Sequence, residues 1–308
     1  MPIKVGTASW ADKSLIACGR FYPRGCNTAE ARLRYYATQF PLVEVDSSYY
    51  AMPSVQNAQL WAERTPDDFV MNMKAFRLFT GHPAPLSALP EDIYRALPPT
   101  AKLNVFYRDI PPAIRDELWR RFIDALRPLK ARNKLGTVLF QFAPWILNNR
   151  AGRAHVEHCA DRMAGHVLAV EFRNRSWFQD KNKTAETLAF ERDRGLVNVI
   201  VDEPQGFENS IPAVWEVTHP KLAVVRLHGR NSGSWDYRGN SSGGRFDYEY
   251  PDEELAALSL DIRRIADLAD DVHTVLNTNK EDQGQRNAQR LIWQLQDQPA
   301  ITSRAVAG

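Results

Sequence analysis

Short runs of β-branched and other apolar residues recur along the chain, separated by stretches with helical spacing. That alternation is the pattern of repeated βα units around a parallel sheet. Eight such runs stand near Ile3 to Ser9, Leu42 to Asp46, Phe69 to Lys74, Thr137 to Phe142, Val167 to Arg173, Val197 to Asp202, Leu222 to His228 and Val272 to Asn279. Eight is the number at which a (β/α)8 barrel of the TIM type closes. Helical patterns fit between them over 28–39, 54–64, 112–130, 151–164, 184–194, 252–268 and 284–296. Thr28 with Glu30, and Pro251 followed by Asp252, Glu253 and Glu254, are helix-start signals. Pro204, Gly206, Pro212 and Pro220 make the sixth crossover mostly loop.

Two connections are longer than a barrel needs, and both follow the C-terminal end of a strand. The one after strand 3, 80–112, is studded with proline; the one after strand 7, 229–251, mixes glycine and serine with arginines and aromatics. The second reads as a lid over the C-terminal face, where loops of this kind close on ligands. The pattern predicts one domain over 1–300 with a short tail, 301–308.

Alternate side chains of a strand share a face, so one parity points into the barrel and the other toward the helices. Val43 and Val45, Phe69, Met71 and Met73, Val138 and Phe140, Leu168, Val170 and Phe172, Val199 and Val201, and Val225 and Leu227 suit the helix-facing layer. The inward set is then Glu44, Asp46, Asn72, Lys74, Thr137, Gln141, Glu171, Arg173, Asn198, Asp202, Arg226, His228, Asn277 and Asn279. Buried polar groups persist only if they pair, meet water or bind something. The mouth of such a barrel is where ligands bind. The same carboxylates and cations would also balance as a closed ion network, and charge counting fits both readings.

Composition narrows the partners. Hydrophobic residues are 44% and charged residues 25% of the chain, as in globular proteins. A net charge of +2 gives no long-range field for nucleic acid or anionic membrane. No apolar run is long enough to span a bilayer, and Met1-Pro2-Ile3-Lys4-Val5-Gly6 enters a strand at once, so a cytoplasmic location is expected. Cys18, Cys26 and Cys159 lack the paired spacing of a zinc site and read as reduced thiols.

The same blocks carry a resemblance. Gly6-Thr7-Ala8-Ser9-Trp10, the run Phe40 to Tyr50, and Lys74 with Thr80-Gly81-His82 look like the opening of the YecE-like family, a bacterial and archaeal domain of unknown function. Gln141-Phe142, Val170-Glu171-Phe172-Arg173 with Ser176-Trp177, Val225 to Arg230, and Leu276-Asn277 with Asn287-Ala288 agree with it. The family often has Asn-x-Thr-Phe-Tyr where this chain has Asp46-Ser47-Ser48-Tyr49-Tyr50, and a double Asn where it has Asn277-Thr278-Asn279. The resemblance implies a TIM-barrel-like fold and brings no reaction, substrate or cofactor with it.

From the residues themselves, the first expectation is an enzyme or binder acting on a small anionic ligand bearing phosphate or carboxylate. Glu171, Asp202, His228 and Lys74 are its catalytic candidates. Trp10, Asp46, Tyr49, Gln141, Arg173, Trp177, Arg226, Arg230 and Asn277 are its ligand-binding candidates. No metal ligand set is assigned and no motif names a cofactor; one alternative places a divalent cation between Glu171, Asp202 and His228 in a hydrolase or isomerase. The other is a nucleic-acid binding or processing protein, from Arg230, Arg238 and Arg245 interleaved with Trp235, Tyr237, Phe246 and Tyr248. Nucleic acid is the less favoured partner at this net charge. No membrane partner is expected, and oligomeric state stays open.

Overall fold

Each of the eight runs forms a strand, and the strands pair in parallel around one closed barrel in the order β1 (Ile3–Ala8), β10 (Val272–Leu276), β9 (Ala223–Leu227), β8 (Leu196–Asp202), β7 (Leu168–Glu171), β6 (Leu135–Gln141), β3 (Val70–Lys74), β2 (Leu42–Val45). The computed structural model of the chain describes residues 2–98, 102–235 and 246–296. In chain order, β1 (Ile3–Ala8) leads to α1 (Lys13–Cys18) and α2 (Ala29–Gln39), and β2 (Leu42–Val45) to α3 (Ser47–Tyr50) and α4 (Val55–Glu63). After β3 (Val70–Lys74), the antiparallel pair β4 (Ala84–Pro85) and β5 (Asn104–Val105) brackets α5 (Glu91–Ala96), before α6 (Pro112–Ala131). There follow β6 (Leu135–Gln141), α7 (Arg150–Arg162), β7 (Leu168–Glu171), α8 (Lys181–Asp193) and β8 (Leu196–Asp202). No helix separates β8 from β9 (Ala223–Leu227), as the prolines there predict. The chain continues through α9 (Asp252–Ala266), β10 (Val272–Leu276) and α10 (Gln283–Gln296). The middle of the connection after β9, with Tyr237, Arg238 and Arg245, lies outside the described residues, as does the tail 301–308.

Helix starts follow side-chain chemistry. Thr28, Ser54, Asn149 and Asp180 each cap the first turn of α2, α4, α7 and α8 through a side-chain oxygen that accepts a backbone N–H. The three acidic residues that open α9 sit at its positive end, with Arg263 and Arg264 in its last turn.

Strand register fixes which side chains enter the barrel, because residues paired across parallel strands share a face. Gly6 pairs with Leu42 and Val275, Ala8 with Glu44, and Glu44 with Asn72. Lys74 pairs with Leu139, Leu139 with Ala169, and Gln141 with Glu171. Ala8, Leu42, Val70 and Val275 form a small apolar plug inside the ring. Beneath it, Asn72 Oδ1 lies 2.9 Å from His273 Nδ1. The Cβ direction of Gly136 faces Asn72, His273 and Val70, so Gly136 fills the inward position there; Thr137 donates its hydroxyl to the Val167 carbonyl at 2.8 Å. A register shift between β3 and β6 at Met71/Met73 accompanies this change.

On β8 the expected parity is reversed. Ala169 pairs with Val197, Val199 with Val224, and Val201 with Arg226, so the valines point inward. Asn198 and Asp202 therefore face outward, where Asn198 Nδ2 donates to the carbonyls of Val214 and Glu216 at 3.2 Å and pins the helix-free crossover to the barrel.

Gly6 shows how closely β1 and β2 approach: a Cβ there would stand 1.9 Å from the Leu42 carbonyl oxygen. Gly6→Ala is expected to lower the thermal unfolding midpoint strongly, at the upper end of the about 1–3 kcal/mol usual for overpacking or beyond it. An unchanged melting curve would contradict the inward placement of Gly6.

Candidate binding site

A cavity of about 880 Å³ opens at the C-terminal ends of the strands. Seven of the candidate residues line it: Trp10, Asp46, Tyr49, Lys74, Gln141, Arg173 and Asn277. Each arrives from a strand end or the turn just after it, which is why residues so distant in sequence meet at one rim. Lys74 is the last residue of β3; its ammonium stands 3.2 Å from Asp46 Oδ1 and 5.0 Å from the centre of the Tyr49 ring. Burial would lower the Lys74 pKa, but Asp46, Glu44 and Tyr50 together outweigh it, and the group is held above its ordinary value as a cation. Burial raises the Tyr49 phenol, which stays neutral.

Arg173, two residues beyond β7, is 6% exposed and presents to this cavity. Both of its hydrogen bonds leave from Nη1, to Glu171 Oε1 at 3.1 Å and to Glu203 Oε2 at 2.7 Å. Its guanidinium lies 5.2 Å from the centre of the Trp235 ring. Among the described residues, Nε and Nη2 make no hydrogen bond.

Below the cavity floor runs a sealed ion network. Arg226 donates to Glu44 through Nε at 3.0 Å and Nη2 at 2.6 Å, and to Glu171 through Nη1. His228 Nε2 stands 3.3 Å from Glu171 Oε1, and His228 Nδ1 is 2.8 Å from Asn277 Nδ2. Burial alone would raise the Glu171 carboxyl, yet Arg226, then His228 and Arg173, hold it well below the ordinary range. Burial pushes His228 down to about 4, against the pull of Glu171. The ring is thus a neutral imidazole that accepts the Asn277 amide at Nδ1, with Nε2 facing the Glu171 carboxylate. For Glu44 burial wins over Arg226, and its pKa rises. Glu171, Arg226 and His228 are fully enclosed, so of the four catalytic candidates only Lys74 reaches the cavity.

Three candidates stand elsewhere. Asp202 faces outward on β8, accepting from Arg230 Nη2 at 2.7 Å and from the Tyr250 hydroxyl at 2.7 Å. Arg230 is held by Asp202 and by Glu254, at a smaller side cleft and away from the cavity. Trp177 is buried on the helix side, stacked 3.7 Å from Phe172 and donating to the Ile146 carbonyl at 2.8 Å. Because Asp202 points away from Glu171 and His228, these three do not form the cation site of the divalent-metal alternative. Among the described residues no group of three or more His, Cys, Asp and Glu is arranged to hold a metal.

Two residues complete the site that sequence reasoning passed over. Glu203, one position after Asp202, turns inward to Arg173 and accepts the Ile211 N–H at 2.8 Å. Burial pushes its carboxyl up to about 7, against Arg173. His82, in the connection after β3, lines the cavity beside Tyr49, with ring centres 5.5 Å apart. The alternation Val199, Val201, Glu203 was the available signal for the first; for the second, the Thr80-Gly81-His82 block marked the position without its role.

Among the described residues no helix is long and apolar enough to cross a membrane. A family model described as "Protein of unknown function DUF72" matches residues 4–307. The UPF0759 protein YunF of Bacillus subtilis (strain 168) is 30% identical over 293 residues, covering 94% of this chain and 93% of its own. The crystal structure of a DUF72 family protein of Enterococcus faecalis V583 superimposes with a TM-score of 0.75 at 25% identity, covering 95% of each chain. One from Thermotoga maritima MSB8 gives 0.74 at 25% identity, covering 96% of this chain and 99% of that one. The YecE-like resemblance in the sequence points to the same family under another name. With a closed eight-stranded barrel, a match along nearly its whole length and relatives of the same architecture, the chain belongs to the DUF72 family.

Proposed function

We propose that this barrel takes a small anionic molecule, bearing a phosphate or a carboxylate, into the cavity at its C-terminal face, with Lys74 and Arg173 as the charge partners. The observation that carries this reading is the state of Arg173: it lines the cavity, uses Nη1 alone for Glu171 and Glu203, and keeps one edge of its fork for something else. A planar guanidinium edge matches carboxylate and phosphate oxygens, and a nearby ammonium adds a second charge-assisted bond. Trp10 and Tyr49 supply apolar wall, and Gln141 and Asn277 supply amides. A proton exchanged with the ligand would fall to Asp46, the carboxylate lining the cavity beside Lys74. Glu171 and His228 act as positioning residues, through Arg173 and Asn277.

The test is calorimetric titration at low salt with inorganic phosphate, glycerol 3-phosphate and glycerate, against uncharged glycerol. Saturable binding of the anions and none of glycerol is expected. No binding of any anion, or equal binding of glycerol, would refute the proposal.

Glu203 makes the site pH-dependent. Its raised pKa means that the folded chain holds the proton up to about pH 7, so stability from this group is full at acid pH and declines as pH rises to about 7. Both its oxygens accept hydrogen bonds in the ionised arrangement, so a proton there loosens its hold on Arg173. Affinity for glycerate, whose own charge is constant between about pH 6 and 8 as for any ordinary carboxylate, is expected to rise as pH falls through about 7. Glu203→Gln should flatten that profile, and a profile equally steep in the variant would exclude this group.

A further inference from the structure

The cavity carries a fixed acceptor as well as cations, and that narrows the ligand. The hydroxyl of Thr80 donates to the Arg77 carbonyl at 3.0 Å, so its hydrogen is already committed. The same oxygen lies 2.9 Å from His82 Nδ1 and can serve that nitrogen only by accepting. His82 therefore carries its proton on Nδ1 and leaves a lone pair on Nε2. Among the described residues Nε2 has no hydrogen-bond partner, while the ring lines the cavity between Tyr49 and Trp145, with centres 5.5 and 5.6 Å away. Burial, with Arg77 and Lys74 adding to it, holds the imidazole near 3, so it does not become a cation at any ordinary pH.

A neutral acceptor set among cations has no use for a bare anion, whose oxygens would face its lone pair. It fits a ligand that presents an O–H close to its anionic group. Asp46 at Lys74 and the Asn277 amide, whose nitrogen is engaged by His228, add acceptor oxygens among the residues that line the cavity. We propose that the ligand is a hydroxylated anion, a polyol phosphate or a hydroxy acid, and that His82 Nε2 accepts a hydrogen bond from one of its hydroxyls. This rests on the anion-binding reading above and adds the hydroxyl to it.

Two pairs of probes separate the two ideas. Glycerol 3-phosphate is compared with propyl phosphate, and glycerate with propionate, each pair sharing its charge and differing in hydroxyls. The native chain is expected to bind the hydroxylated member of each pair about fivefold to tenfold more tightly, the scale of one hydrogen bond. His82→Asn keeps a donor at the position of Nδ1 for Thr80 and removes the Nε2 acceptor. It should fold, bind propyl phosphate and propionate as the native chain does, and lose the preference. His82→Gln restores an acceptor near the position of Nε2 and should recover most of it.

Equal affinities within both pairs for the native chain would overturn the hydroxyl assignment and leave the anion site standing. His82→Asn weakening both members of a pair alike would overturn it too, by making His82 a wall of the cavity and no more. Absence of binding by all four probes would remove the anion site, and the hydroxyl assignment with it. A preference confined to one pair would decide between phosphate and carboxylate as the anionic end, and supports the assignment for that end.

Discussion

Arg226→Met is expected to cost about 3–5 kcal/mol of stability, because it strands buried carboxylates that now have a cation between them. For a chain of this size that corresponds to a fall of roughly 10 °C in the unfolding midpoint. Arg226 is wholly enclosed, and its three guanidinium nitrogens all donate to Glu44 and Glu171. The loss of a methylene-sized contact is minor beside this, since methionine fills most of the same volume. If stranded charge is the cause, adding Glu44→Gln to Arg226→Met should recover part of the loss, Glu44 having Arg226 as its only hydrogen-bonding side chain among the described residues. Thermal and urea unfolding of the single and double variants check this. A single variant within about 1 kcal/mol of the native chain, well under the usual cost of stranding a buried charge, would mean that the floor of the cavity is open to water.

Lys74→Met should do the opposite, sparing the fold and removing the ligand. The Lys74–Asp46 pair borders the cavity, with the two side chains 11% and 25% exposed, so its loss should cost less than the about 3–5 kcal/mol of breaking a fully enclosed pair. A charge-assisted hydrogen bond to an anion is worth about 1.5–3 kcal/mol, so affinity for glycerol 3-phosphate or glycerate is expected to fall by about tenfold to a hundredfold. Full affinity in the variant would transfer the whole charge role to Arg173.

The contrast between β2 and β8 shows what the sequence could reveal. On β2, Leu42-Val43-Glu44-Val45-Asp46 puts a carboxylate on one parity only, and the inward placement of Glu44 follows. On β8, Val197-Asn198-Val199-Ile200-Val201-Asp202-Glu203 has apolar residues at both parities and acidic ones at both parities at its end, and Asn198, the one polar residue before that end, faces outward. Either face can then be the inner one, and a slip of one residue exchanges Asp202 for Glu203 at the site. Trp177 was misplaced for a different reason: its turn lies beyond β7, where period-two reasoning no longer applies, and the stack on Phe172 decides its direction. His82 was out of reach because its proton position depends on Thr80 and the Arg77 carbonyl, a relation of three residues in a folded loop.

The charge pair at the mouth can be observed directly. Crystals soaked in arsenate, a phosphate stand-in with a measurable anomalous signal, should show an arsenic peak in the cavity with oxygens in hydrogen-bonding range of Lys74 Nζ and of Arg173 Nε or Nη2. Arsenic found only on the outer surface, with the cavity holding nothing but water at saturating arsenate, would contradict the assignment of this mouth as an anion site.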